Sequence, residues 1–382
     1  MTSLPLVVLG ATGSIGRQTL EVAQRSGRRV IGLAARSPSA DLAGLASRFP
    51  DATVVVSGGA PSDREAFAER VGRGRVEFGA DAVVALSSLP SIVVNGVVGL
   101  AGLRPSVAAL EAGNRLALAN KESIVGGGAL VLDAAQRGGG ELVPVDSEHS
   151  AIFQLIEGTP RDHVRSIVLT ASGGPFRGRS AGELTEVSPA EALNHPTWKM
   201  GRRISIDSAT LANKGLEVIE AAVLFGVDVD DVEVVVHPQS IVHSMLRLND
   251  GSVLAHVGAT DMRLAIEYAL THPDRAHRTE ADFAFAGLSL TFEEPDTETF
   301  QALGLAYEAG RVGGSMPAVF NAADEIAVEA FLQGRLGFMS IAEVIRRTME
   351  AVTVFTPVSI EDVLDADREA RGLAASLIAG VC

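Results

Sequence analysis

Asp146 and Glu148 stand two residues apart in Glu141-Leu-Val-Pro-Val-Asp-Ser-Glu-His-Ser150, a segment that reads as a buried strand running into a loop. Alternate side chains of an extended chain project to one side. Two carboxylates held that way repel unless a cation or a proton lies between them. A third acid, Glu217, closes the segment Asn213-Lys-Gly-Leu-Glu217. If a helix begins near Ser208, Asn213 and Glu217 share a face at i,i+4 and Lys214 lies one turn from Glu217. A carboxylate, an amide and an ammonium on one face suit an anionic, oxygen-rich ligand. Hard oxygen donors without thiolates or a histidine pair point to Mg2+ or Mn2+, with positions left open for substrate and water. The competing readings are structural. Asp146 and Glu148 also suit the start of a helix near residue 149, and Lys214 with Glu217 suits a surface ion pair behind an N-cap serine.

Three more segments carry groups of the same kind. Thr170-Ala-Ser172-Gly-Gly174-Pro175 follows a strand and offers a hydroxyl with open backbone amides, the makings of a phosphate nest. Asn194-His195-Pro-Thr-Trp198-Lys-Met200-Gly201-Arg-Arg203 places the chain's one tryptophan in a polar loop beside four possible cations, either as a lid that excludes water or as an anchor for a connection. Asn120-Lys121-Glu122 follows the apolar run 116–119, at the sheet edge where open α/β folds bind ligands, which makes Lys121 a candidate substrate cation. His237 and His243 lie in strand-like surroundings and are expected to support a sheet.

The elements that must position these groups begin with a glycine loop. Gly10-Ala-Thr-Gly13-Ser-Ile-Gly16 sits between a strand at 4–10 and a helix at 14–26. In that context the amides of Thr12, Gly13, Ser14 and Ile15 face a pyrophosphate at a helix N-terminus. The next strand, 29–35, ends in Ala35-Arg36-Ser37. An acid there would hold an NAD ribose, whereas an arginine and a hydroxyl suit a 2′-phosphate, so NADPH is favoured. Further strands are expected near 53–57, 82–86, 92–95, 115–119 and 141–146, with helices at 62–71 and 105–113. Alternation of this kind predicts a doubly wound parallel sheet through residue 147. From 148 to 271 the texture changes to an α+β catalytic region. Its mixed sheet takes strands at 166–171, 232–236, 241–248 and 252–257, the last two joined at Asn249-Asp-Gly251. Helices are expected at 149–156, 208–224 and 261–271. Residues 272–299 read as a linker and 300–382 as a helical bundle.

Bulk properties narrow the class. At 382 residues the chain calls for two or three domains. With 47% hydrophobic residues and a mean hydropathy of +0.24 it can bury large cores. No apolar run reaches the roughly 18 residues of a membrane span, and no export signal precedes the first strand. The single cysteine is Cys382, so internal disulfides and thiolate zinc sites are excluded and a cytoplasmic protein is expected. A net charge of −15 without a basic, aromatic-studded face argues against nucleic acid. An anionic substrate must then be drawn in by local cations.

Taken in order, these motifs resemble the 1-deoxy-D-xylulose 5-phosphate reductoisomerase family over essentially the whole chain. The resemblance rests on Gly10–Gly16, Ala119-Asn-Lys-Glu-Ser123, Pro144-Val-Asp-Ser-Glu-His149, Ser172-Gly-Gly-Pro-Phe176, His195-Pro-x-Trp198-x-Met-Gly201, Asp207-Ser-Ala-Thr210, Asn213–Glu217 and His237-Pro-Gln-Ser240. It implies an NADPH domain, a catalytic domain with a mobile flap near 194–203, a C-terminal bundle and a homodimer. It also implies a role in the non-mevalonate route to isoprenoids, and inhibition by phosphonohydroxamates. By the same resemblance Asp146, Glu148 and Glu217 ligate the divalent metal. Ser147, Ser172, His195, Trp198, Ser208, Asn213 and Lys214 hold the substrate with Lys121 nearby, and Met200 lies on the flap. Thr12 to Ile15, Ala35, Arg36, Ser37, Asn120, Glu122 and Gly201 meet NADPH. The chain departs from the family pattern at Ala11, Ala171 and Ala35-Arg36-Ser37, which leaves the adenosine contacts least defined.

The chemistry implied is rearrangement of a hydroxyketone by retro-aldol cleavage and re-aldolisation, then reduction by NADPH to 2-C-methyl-D-erythritol 4-phosphate. Three rivals remain at this point. A semialdehyde dehydrogenase needs an internal nucleophilic cysteine. A redox-sensing regulator has no use for a metal triad. A metal-dependent aldolase or isomerase would not bind NADPH.

Overall fold

The structure, a computed structural model, describes residues 4–198, 200–276 and 283–381. Lys199 of the expected flap, part of the expected linker and Cys382 lie outside the described residues. The chain divides into two compact units: residues 1–123, 129–150 and 261–279, and residues 124–128, 151–260 and 280–382.

The first unit is built on β1 (Leu6–Leu9), β2 (Val30–Ala35), β3 (Thr53–Val56), β4 (Val76–Phe78), β5 (Ile92–Asn95), β6 (Arg115–Leu118) and β7 (Glu141–Pro144). Among the described residues these form one parallel sheet in the order β4-β3-β2-β1-β5-β6-β7. The runs Leu6–Leu9 and Ile92–Asn95 are buried on both faces, the pattern of a sheet covered by helices on each side. The crossovers are α1 (Ser14–Arg25), α2 (Ala40–Arg48), α3 (Pro61–Val71), α4 (Ala80–Ser87), α5 (Leu103–Glu111) and α6 (Lys121–Gly138). The strand order reverses between β1 and β5, which marks the crevice where such sheets bind ligands. The apolar run 82–86, expected as a strand, is instead the middle of α4. Its apolar run cannot by itself separate a buried helix from a strand, and the edge strand beside β3 is the three-residue β4.

α7 (Ser147–Glu157) starts two residues earlier than expected, so Asp146 lies in the short link between β7 and the helix while Glu148 lies in the first helical turn. The two acids therefore are not alternate residues of one extended segment. β8 (Val164–Ala171) is the first strand of the second unit, followed by α8 (Pro189–Ala192), α9 (Arg202–Ala209) and α10 (Ala212–Phe225). The single helix expected over 208–224 is broken at Leu211, whose φ of 62° is left-handed. Thr210 stabilises the break: its hydroxyl donates to the carbonyls of Ile206 and Asp207 and accepts from the amide of Ala212.

β9 (Val232–Val236), β10 (Val242–Leu248) and β11 (Val253–Val257) join β8 in a mixed sheet ordered β11-β10-β8-β9. The hairpin at residues 249–251 is present. α11 (Met262–Thr271), expected with the catalytic region, packs on α1, β6 and β7 in the first unit. Residues 283–300 follow the second unit, where Glu293 bridges to Val236. α12 (Ala302–Val312), α13 (Met316–Leu332), α14 (Ser340–Ala351) and α15 (Ile360–Val381) form the C-terminal bundle. Its core is continuous with that of the mixed sheet: Phe320, Phe331, Ile345 and Ile378 share one cluster with Ile167, Leu169 and Leu246. Among the described residues no helix is long and apolar enough to cross a membrane.

Candidate active site

The glycine loop closes over the end of β1. Gly10 has φ of 75°, and a Cβ there would lie 2.5 Å from the Gly96 carbonyl oxygen at the end of β5. At Gly16 a Cβ would lie 2.3 Å from the Gly10 carbonyl oxygen, so α1 can approach β1 only without a side chain. Gly13 is the N-cap of α1, and no capping side chain satisfies the first-turn amides of Ser14 and Ile15. Arg36 and Ser37 follow β2, where the Arg36 carbonyl accepts from Gly58 at 2.6 Å and the Arg36 side chain is exposed.

Asn120 and Glu122 have a further task that their spacing did not reveal. Asn120 donates to the carbonyls of Val97 and Gly99, at 2.8 and 3.0 Å, and to Glu122 at 2.7 Å. Glu122 accepts from the Gly99 amide at 2.9 Å. Both brace the 96–102 loop at the crevice. Asn95, not singled out from sequence, completes the brace from the end of β5 through Gly102, Ser106 and Val97. The signal was present: an amide closing the buried apolar strand Ile92-Val-Val-Asn95 must have partners.

Lys121, at the start of α6, reaches Asp146 with Nζ 2.7 Å from Oδ2; both side chains are largely buried. Ser147 donates to Glu148 within the first turn of α7. In the second unit, Asn213 donates to one oxygen of Glu217 at 2.5 Å and Lys214 to the other, so the shared helical face read from the sequence holds on α10. Lys214 and Glu217 are nearly inaccessible, which removes the surface ion pair as an explanation.

A second group assembles around β8. Ser172 lies 2.9 Å from His195 Nε2, and its hydroxyl accepts from the Gly174 amide at 3.2 Å. His195 Nδ1 accepts from the amides of Thr197 and Trp198, at 3.1 and 2.9 Å. With Nδ1 an acceptor, the ring proton is assigned to Nε2, which then donates to Ser172. Burial lowers the His195 pKa and favours this neutral form. Gly173 and Gly174 have φ of 84° and 68°, and a Cβ on Gly174 would come 2.6 Å from the Ser208 carbonyl oxygen. Ser172, the glycine turn, His195 and the Ser208 backbone are thus gathered in one place. Gly201 caps α9 at the other end of the loop, and Trp198 and Met200 are half-buried. His237 and His243 hydrogen-bond the carbonyls of Thr291 and Ala259 and are structural.

Comparison with known proteins bears on all of this. Residues 6–128 match the model for 1-deoxy-D-xylulose 5-phosphate reductoisomerase, 142–225 the model for its C-terminal domain, and 257–373 the DXP reductoisomerase C-terminal domain. A protein of that name from Chlorobium chlorochromatii is 47% identical over 378 residues, covering 98% of this chain and 99% of the relative. The chain belongs to the 1-deoxy-D-xylulose 5-phosphate reductoisomerase family.

The reductoisomerase fold extends over the full length. A Zymomonas mobilis reductoisomerase in complex with NADPH is 44% identical with a TM-score of 0.90, covering 98% of this chain and 99% of its own. A DOX-P reductoisomerase structure with NADPH, fosmidomycin and magnesium is 35% identical with a TM-score of 0.91, covering 98% of each chain. The chain is an NADPH-dependent oxidoreductase that acts on a sugar phosphate and uses a divalent cation. The three acids expected from the sequence as ligands, Asp146, Glu148 and Glu217, offer only hard carboxylate oxygens, the chemistry such a cation requires. The glycine loop fits the dinucleotide for the steric reasons given above.

Proposed function

We propose that Asp146, Glu148 and Glu217 hold the divalent cation with which the chain converts 1-deoxy-D-xylulose 5-phosphate to 2-C-methyl-D-erythritol 4-phosphate, a step of isoprenoid biosynthesis. Bound there, the cation supplies Lewis acidity and a template for the hydroxyl and carbonyl oxygens of the hydroxyketone. The substrate's C3–C4 bond is broken by retro-aldol cleavage, a new bond is made between C2 and C4 by re-aldolisation, and the branched aldehyde produced takes a hydride from NADPH. Thr12 to Ile15 receive the pyrophosphate of NADPH on the N-terminus of α1. Ala35, Arg36 and Ser37 meet its adenosine end, and Asn120, Glu122 and Gly201 its remainder.

The observation that carries this reading is the company the acids keep. A buried carboxylate stays ionised only beside a cation or several donors. Lys121 supplies this at Asp146, and Lys214 with Asn213 supplies it at Glu217. Those ammonium groups hold the carboxylates oriented, then turn to the substrate. Ser147 orients Glu148. The phosphate is held by Ser172, the amides of the Gly173–Gly174 turn, His195 and Ser208, a nest far from the reacting carbons whose binding energy positions them. Trp198 and Met200 close the loop over the substrate and exclude water.

The protein is proposed to work as a cytoplasmic homodimer. β11 is the outer strand of the mixed sheet, and Val253, Leu254 and Val257 on it are exposed, an edge that monomers ordinarily protect. The experiment is to follow NADPH absorbance with 1-deoxy-D-xylulose 5-phosphate, with and without chelator. Consumption that stops with chelator and returns with Mg2+ or Mn2+ supports the reading. Consumption indifferent to chelator, or absent under every condition, sinks it.

A further inference from the structure

At the junction of the 194–200 loop and α9 lies a buried charge cluster that the proposed chemistry does not use. Arg203, in the first turn of α9, puts Nη2 2.9 Å from Asn321 Oδ1 and 3.4 Å from Asp324 Oδ2, and Nη1 2.8 Å from Glu325 Oε1. Its Nε is 3.3 Å from Asp207, one turn along the same helix. Glu325 also accepts from Arg371 on α15 at 2.7 Å, and Arg371 in turn pairs with Asp367. Asp324 is fully buried, and that burial pushes its pKa up to about 6. Four acids and two arginines are therefore packed where α9, α13 and α15 meet.

Such a cluster is a poor way to gain stability, since desolvating charges offsets most of their attraction and an apolar filling does as well. What charge and a planar guanidinium fork supply is a fixed position. α9 is a rigid rod with Gly201 as its cap at one end and Ser208 in its last full turn. The Ser208 carbonyl oxygen already stands where a Cβ on Gly174 would be only 2.6 Å away, so α9 has little room to slide against the Ser172–Gly174 turn. We infer that Arg203 is a positioning residue: by fixing α9 to α13 and α15 it sets Ser208 and the end of the 194–200 loop in register with the phosphate nest. The inference rests on the assignment of Ser208 and that loop to the substrate.

The test uses the full-length enzyme, steady-state kinetics and the thermal midpoint. Arg203→Met raises the KM for 1-deoxy-D-xylulose 5-phosphate by about tenfold, the scale of a small misplacement. Arg203→Met with Asp324→Asn removes one stranded charge, so the thermal midpoint recovers while the raised sugar-phosphate KM persists. Recovery of KM together with the midpoint would reduce Arg203 to a structural part and overturn the inference. If Arg203→Met fails to fold, Arg203→Lys carries the test, because one ammonium cannot span the same acceptors; a normal KM there also overturns it. Ser208→Ala separates the two levels. A normal KM in that variant overturns the reading beneath, whereas a raised KM there with a normal one in Arg203→Met overturns the inference alone.

Discussion

His195 shows how one side chain can order a loop and titrate it. Its Nδ1 accepts two backbone amides, so a proton at that atom ejects both Thr197 and Trp198. Burial lowers its pKa from the ordinary 6.5, so the fold binds fewer protons here than the unfolded chain. By linkage, the contribution of this contact is complete above pH 6.5 and is lost as pH falls below that value toward the lowered pKa. Trp198 is the only tryptophan in the sequence, so tryptophan emission, excited selectively beyond the absorbance of the two tyrosines, reports on this loop alone. Acidification should shift the emission with a midpoint below 6.5, and His195→Gln should abolish that shift. An unchanged spectrum down to global unfolding, or the same titration in the variant, would contradict the account. Gly10 gives a second prediction at this scale. Gly10→Ala combines a strained φ with backbone overlap at Gly96, so NADPH affinity should drop by more than about tenfold in a calorimetric titration, with unaltered affinity as the contrary result.

At the level of elements, the sequence was legible where a local rule decides. The glycine loop between a buried strand and a helix, the Asn213–Glu217 face and the Asn249–Gly251 hairpin each follow from spacing within a dozen residues. It was not legible where tertiary context decides. Residues 82–86 form helix α4 although their composition suits a strand, and β4 is too short to leave a pattern. The break at Leu211 depends on the hydroxyl of Thr210 serving two helices at once. Asp324 and Glu325 act through Arg203 and Arg371, partners distant along the chain, and Asn95 through a loop whose path follows no local rule; their only trace is a polar group in an apolar run. α11 is readable as a helix, but its return to the first unit is not, because Arg28 and Glu141 meet Leu270 and His272 across long separations.

For the whole molecule, the exposed edge of the mixed sheet makes its own prediction. Leu254→Glu places a charge on β11 and should shift the sedimentation coefficient from dimer to monomer without unfolding the chain. A variant that sediments as wild type would remove β11 from the interface. Net charge bears on activity at this scale too: at −15 the whole-molecule field repels a sugar phosphate, and the proposed site answers it with local cations, Lys121 and Lys214. Their partners are the very acids assigned to the cation. The most direct measurement is therefore a Mn2+ binding isotherm, read by electron paramagnetic resonance, on the wild type and on Glu217→Gln, with NADPH titrated into both. Loss of the tight Mn2+ site in the variant, with turnover down by orders of magnitude and NADPH bound as before, is the predicted result. Equal Mn2+ affinity and near-normal turnover in Glu217→Gln would contradict it.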